Sequence, residues 1–281
     1  MFSSVDTKDP AAVEAVAQSI YAWAYPDADP GFVPRVFGWA KDCFHGRYAE
    51  YQPIDAQYHD LEHTLQGTLC MVRLLEGRFL EKVEPRLPRR FFELALLAIL
   101  LHDTGYLKVK GDNEGTGAKY TLIHVQRSAD FAARLLGENG YSPADAHAVQ
   151  NMIRCTGLNA DLGSIPFDDS IERELGSTLA TADLLGQMAA DDYVEKLPIL
   201  FAEFAETAAH AGKMPGGGVF KDAQDLISKT PGFWRFYVTK KIATDFQGIY
   251  RRLERPPGSG NNDYIRRIEA NISRIIPIPP G

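Results

Sequence analysis

The stretch "LALLAILLHDTGYLK", residues 94–108, decides how the chain is read. Eight apolar residues, Leu94 to Leu101, run without interruption into His102 and Asp103. Such a run belongs in a core, where a charge is costly unless it is paired or bound to a metal. Thr104 and Gly105 follow at once, and Gly is the usual residue just past a helix end. Consecutive residues on a helix point about 100° apart. His102 and Asp103 therefore converge on one ion only where their helix ends or runs beside it.

Outward from this stretch, helical periodicity dominates. Apolar residues recur at three- and four-residue spacing over 10–24, 31–44, 59–83, 88–103, 117–138, 142–156, 170–190 and 191–209, with a final helix over 262–275. Pro and Gly place the breaks: "YPDADPG", "EPRLP", "GDNEGTG", "ENGYSP", "GKMPGGG" and "RPPGSGNN". Ser142 reads as an N-cap with Pro143 at the first helical position. Period-two alternation is nearly absent, so the expected fold is all-α. The expected division is an N-terminal helical segment at 1–30, a helical core at 31–190 and a C-terminal helical extension at 191–281. The aromatic stretch 231–250 of that extension suits packing on the core or on a second subunit, which would make a homo-oligomer.

The 281 residues can bury a sizeable core, and 45% apolar with 24% charged residues speaks against disorder. No apolar run approaches the roughly 20 residues that span a bilayer. The N-terminus lacks the pattern of a secretory signal, so a cytoplasmic protein without membrane association is expected. Cys43, Cys70 and Cys155 are too few and too widely spaced for a disulfide framework or a zinc ribbon. Net charge is −7 and the basic residues are scattered, which disfavours nucleic acid as a partner.

Chemistry then rests on His, Asp and Glu carried by helices. His59 and His63 stand four apart in "YHDLEHT", so on a helix they share one face. Asp183 sits among small and apolar residues in "STLATADLLGQMAADDY", an anomaly of the same kind as His102-Asp103. The sequence His63, His102-Asp103, Asp183 on helices resembles the H…HD…D signature of the HD superfamily of metal-dependent phosphohydrolases. "YHDLEHTLQGT" is similar to the motif of the cyclic-nucleotide phosphodiesterases in that superfamily. The resemblance covers about residues 55–190. It implies an HD-type helical bundle whose metal ligands are His63, His102, Asp103 and Asp183, with His59 as the general acid.

Departures from the phosphodiesterase pattern are specific. Asp60 replaces an Asn, Tyr106 replaces a His, and the purine-clamping Gln has no counterpart. Bacterial HD phosphohydrolases often place a further His one helix later, and His124 in "YTLIHVQRSADFA" is the candidate. A His of this kind otherwise packs on a helix face. His45, His147 and His210 read as surface or structural residues, and Glu62 as part of a solvated face. Substrate contacts are sought in Lys108, Lys110 and Lys119 of the loop "KVKGDNEGTGAK", in Arg127, and in Gln187 one turn beyond Asp183. That loop has no Walker A sequence, and loose Gly and Lys residues also describe a mobile loop.

The expected cofactor is one or two divalent metal ions, with Zn, Mn, Fe and Mg all compatible with a His/carboxylate set. Asp103 is best placed to bridge two ions. The expected reaction is phosphoester hydrolysis through metal-activated water on a small phosphorylated, nucleotide-like substrate, a cyclic phosphodiester among them. Two alternatives share the ligands. One is a di-iron oxygenase resembling myo-inositol oxygenase, which needs an additional His where this chain has Arg154-Cys155. The other is a regulatory module in which the metal serves stability alone.

Overall fold

Side chains that accept hydrogen bonds from free backbone amides start most of the helices in the computed structural model, which describes residues 2, 4–48, 50–212 and 220–275. Ten α-helices occur among these residues: α1 Pro10–Ala24, α2 Phe32–Phe44, α3 Leu61–Leu80, α4 Arg89–Leu101 and α5 His124–Glu138 form the first half. α6 Pro143–Arg154, α7 Ser170–Met188, α8 Tyr193–His210, α9 Ala223–Gly232 and α10 Asp263–Ile275 complete the set. Asp9, Asp60, Asp169 and Asp222 cap α1, α3, α7 and α9. Ser142 and Asp145 form a reciprocal capping box at α6, with Pro143 behind the cap as the sequence predicts.

No β-strand occurs among the described residues, only isolated bridges at Tyr51–Val109 and Glu254–Asn262. The fold is all-α. Of the break "GKMPGGG", residues 213–218 lie outside the described residues. No helix among the described residues is long and apolar enough to cross a membrane. The three cysteines are free and buried.

α3 and α7 pack along each other at the centre. Gly186 sets how closely: a Cβ there would come within 2.7 Å of the backbone of Gln66. Only hydrogen fits, so the backbones of the two helices meet beside His63 and Asp183. α4 lies against both and is buried along nearly its whole length, from Phe91 to Leu101. One buried apolar cluster runs from Val13 of α1, through Leu69, Leu96 and Leu179, to Ile272 of α10. The aromatic stretch after α9 forms π-helical turns at Phe233–Val238 and Lys241–Asp245, and it buries Trp234, Val238 and Ile242 in that cluster while Phe236 stays 80% exposed.

Candidate metal centre

α4 ends at Leu101 with His102 as its C-cap, and Asp103 already leaves helical geometry at φ −108°, ψ 9°. This resolves the divergence of two consecutive side chains, because the chain turns between them into a 3₁₀ segment, Thr104–Tyr106. Gly105 is needed for a reason other than a left-handed helix end. A Cβ at Gly105 would lie 2.0 Å from the carbonyl oxygen of His124. The turn therefore presses against the first residue of α5. Ser128 Oγ accepts from Gly105 N at 2.8 Å and secures the contact.

His63, His102 and Asp103 form a buried group whose ligand atoms could hold a metal ion. His63 Nε2 is 3.2 Å from Asp103 Oδ2 and 3.3 Å from Asp183 Oδ1; His102 Nε2 is 3.3 Å and 3.5 Å from the same two oxygens. Ligands at about 2.0–2.1 Å from a tetrahedral ion are separated by about 3.3–3.4 Å. The four His–carboxylate separations, 3.2–3.5 Å, are close to that, and His63, His102 and Asp103 form the tighter group, with Asp183 beside the two imidazoles. His102 Nδ1 donates to the carbonyl of Ile99 at 2.7 Å, which leaves Nε2 to face the group. His102 Nε2 and Asp103 Oδ2 are buried with no hydrogen-bond partner. Two orphaned buried polar atoms aimed at one point are what a cation between them would satisfy.

Electrostatics agree with the geometry. Burial opposes charge on every member, yet opposite charges prevail. The imidazoles of His102 and His63 hold Asp103 and Asp183 well below the usual carboxylate range. The negative carboxylates of Asp103 and Asp183 beside it push His63 up to about 10 against that burial. The two carboxylates thus demand positive charge between them, from protons or from a metal ion.

His124 lies on the far side of Asp103, with Nε2 3.8 Å from Oδ1. Its Nδ1 donates to the carbonyl of Thr121, and burial lowers its pKa, so a neutral ring turns an acceptor toward a carboxylate oxygen. His59 stands outside the helix expected to carry it. α3 begins at Leu61, because Asp60 caps it by accepting from His63 N at 2.8 Å and its extended backbone turns the chain. The ring of His59 nevertheless comes within 5.2 Å of that of His63, and it rests on Tyr106, as does the ring of His124.

Glu203 was not marked out by the sequence. It is buried on α8 and accepts from His59 Nδ1 at 2.5 Å and from Tyr58 N at 2.7 Å. The proximity of His59 and these hydrogen bonds hold its carboxyl below the usual range despite burial. Its nearest sequence signal is the pair Glu203 and Glu206 in "FAEFAE", which equally describes a solvated stripe.

The expected substrate contacts have other partners. Lys108 is buried against Asp55 at 2.8 Å and donates to Gly115 O; Lys119 is buried against Asp112 at 2.7 Å and donates to Glu114 O. Arg127 donates to Gly105 O and Leu107 O and lies 3.7 Å over the Tyr120 ring. The loop is further pinned to α8 through Thr116 and Glu206. Lys110 N bonds Glu50 O. Gln187 alone of these touches the group, donating to Asp183. His45 and His210 are exposed and His147 half-buried.

The chain matches the Npun_R2479-like family over residues 17–254. It belongs to that family. In this Npun_R2479-like chain the match runs from within α1 past α7, and so takes in Glu203 of α8 as well as His63, His102, Asp103 and Asp183. No curated protein matches the chain.

Proposed function

We propose that the chain is a metal-dependent phosphohydrolase of the HD type, hydrolysing a phosphoester, with His63, His102, Asp103 and Asp183 holding a divalent cation. The convergence of two partnerless buried atoms, His102 Nε2 and Asp103 Oδ2, on the oxygen of Asp183 and the nitrogen of His63 carries this reading. The resemblance of the ligand order to the HD signature supports it. Zn, Mn, Fe and Mg remain chemically compatible. A bound divalent ion supplies a Lewis acid that acidifies a coordinated water and offsets charge on a phosphoryl group.

The chain's own residues do the rest. Glu203 occupies Nδ1 of His59, so the proton available to a leaving oxygen is the one at Nε2. Tyr106 fixes the plane of the ring. A positioned proton donor contributes typically ~10²–10⁴-fold. Asp103 offers Oδ1 toward His124, which gives a second ion a place between a carboxylate and an imidazole. Because Lys108, Lys119 and Arg127 are held by protein groups, the phosphoryl charge of a small nucleotide-like substrate falls to the cation and to His59.

The test is elemental analysis of the purified protein together with turnover on a panel of phosphomonoesters and phosphodiesters. Bound divalent metal, turnover lost on chelation and restored on readdition, is the expected result. Iron with oxygen consumption and no hydrolysis would favour the oxygenase; metal with neither activity would favour a metal-stabilised module.

A further inference from the structure

Asp183 is the most exposed of the four grouped side chains, at 14%, and the residues just before it are the small Ala180, Thr181 and Ala182. Thr181 directs its hydroxyl to Ser177 O, and the two alanines carry no polar side-chain atom. Gln187 lies one turn on, and its Nε2 donates to Asp183 O at 3.1 Å and to Asp183 Oδ1 at 3.3 Å. That oxygen is the one facing His63 and His102.

A glutamine amide can present either end. Asp183 removes the ambiguity, because its backbone and carboxylate oxygens only accept and so take the amino group, while the hydroxyl of Tyr58 donates to Gln187 Oε1 at 2.8 Å and anchors the other end. Tyr58 is itself buried and held by the bond from its backbone N to Glu203. We infer that Tyr58 and Gln187 are positioning residues: Tyr58 anchors the amide of Gln187 by its oxygen, and Gln187 sets which oxygen of Asp183 meets the ring nitrogens of His63 and His102. The inference rests on the reading of Asp183 as a metal ligand. One consequence is that Glu203 supports both halves of the site, holding the ring of His59 through one oxygen and the backbone of Tyr58 through the other.

The experiment titrates the full-length, metal-stripped protein with Co²⁺ against a chromophoric chelator and records the visible spectrum of the bound ion, for the wild type, Asp183→Ala, Gln187→Leu, Tyr58→Phe and the double variant. Circular dichroism and Tm establish that each is folded. Loss of outer partners of metal ligands costs about 10–100-fold in affinity, so Gln187→Leu is expected in that range, with an altered Co²⁺ spectrum. Tyr58→Phe, which only releases the anchored oxygen of the amide, should lose less. The double variant should be no weaker than Gln187→Leu, since Tyr58 acts through Gln187. Wild-type affinity and spectrum in Gln187→Leu or Tyr58→Phe, alongside loss of Co²⁺ in Asp183→Ala, would overturn the inference and leave the metal reading standing. Additive losses in the double variant would overturn the relay. Wild-type affinity in Asp183→Ala would instead overturn its assignment as a ligand. Should Gln187→Leu fail to fold, Tyr58→Phe, which removes a single oxygen, carries the test.

Discussion

Under the proposed function, replacing Glu203 by Gln should separate proton donation by His59 from metal binding. The carboxylate accepts from His59 Nδ1 at 2.5 Å and from Tyr58 N at 2.7 Å, both in a buried setting. Gln keeps the volume and one acceptor. If its oxygen serves Tyr58 N, its amino group faces Nδ1, and the imidazole loses the carboxylate that accepts from Nδ1 and holds the ring. Hydrogen bonds to charged groups contribute about 1.5–3 kcal/mol and neutral ones about 0.5–1.5. The difference of about 1–2 kcal/mol corresponds to roughly 5–30-fold in rate. The assay is kcat at saturating metal on an alkyl phosphodiester and on its p-nitrophenyl counterpart. The alkyl ester, whose leaving oxygen needs a proton, should lose about that factor. The p-nitrophenyl ester should lose less than about twofold, with metal content unchanged. Equal losses on both esters, or none on the alkyl ester, would refute the reasoning.

Other perturbations address the ion pairs and the scaffold. His59→Asn should keep metal and lose about 10²–10⁴-fold on the alkyl ester alone; loss of metal in that variant would make His59 a ligand. Gly186→Ala forces a methyl into the backbone of Gln66. Such overpacking costs about 1–3 kcal/mol, seen as a Tm lower by about 2–10 °C; an unchanged or higher Tm in a thermal melt would show that α3 and α7 do not meet so closely. Glu174 accepts from the buried Arg78 at 2.8 Å and from Arg252 at 2.6 Å, and these partners hold its carboxyl below the usual range despite burial. A depressed carboxylate pKa contributes stability that is complete above the unfolded value, near 4.3, and is lost as pH falls through the folded value. The stability gap between wild type and Glu174→Gln in urea titrations should therefore be widest at neutral pH and narrow as pH falls below about 4; a constant gap would contradict it.

What the sequence made legible follows from how local each signal is. Helix limits rest on caps and breakers beside one another in the chain, and Asp9, Ser142 and Asp169 lie where the periodic segments begin. His102-Asp103 stood out because its charge interrupts an apolar run, and Asp183 because its neighbours are small. The sequence extends the helix through His59 because an Asp at position 60 looks like any polar helical residue, whereas its side chain caps His63 N. The partners of Lys108 and Lys119 were hidden for a different reason. Asp55 is 53 residues away from Lys108, and Asp112, though near Lys119 in sequence, meets it only across the folded loop. Glu203 is 144 residues from His59, and nothing in "FAEFAE" distinguishes a buried acceptor from a surface one.

The central claim is that His63, His102 and Asp103, with Asp183, hold a divalent cation. Elemental analysis of wild type and Asp103→Ala, purified side by side and checked by circular dichroism, tests it most directly. Asp103 supplies Oδ2 to both histidines and Oδ1 to His124, while the helices are held together by apolar faces that do not involve it. The expected result is one or two divalent ions per wild-type chain and none in Asp103→Ala at equal helical content. Wild-type metal in a folded Asp103→Ala would contradict the account.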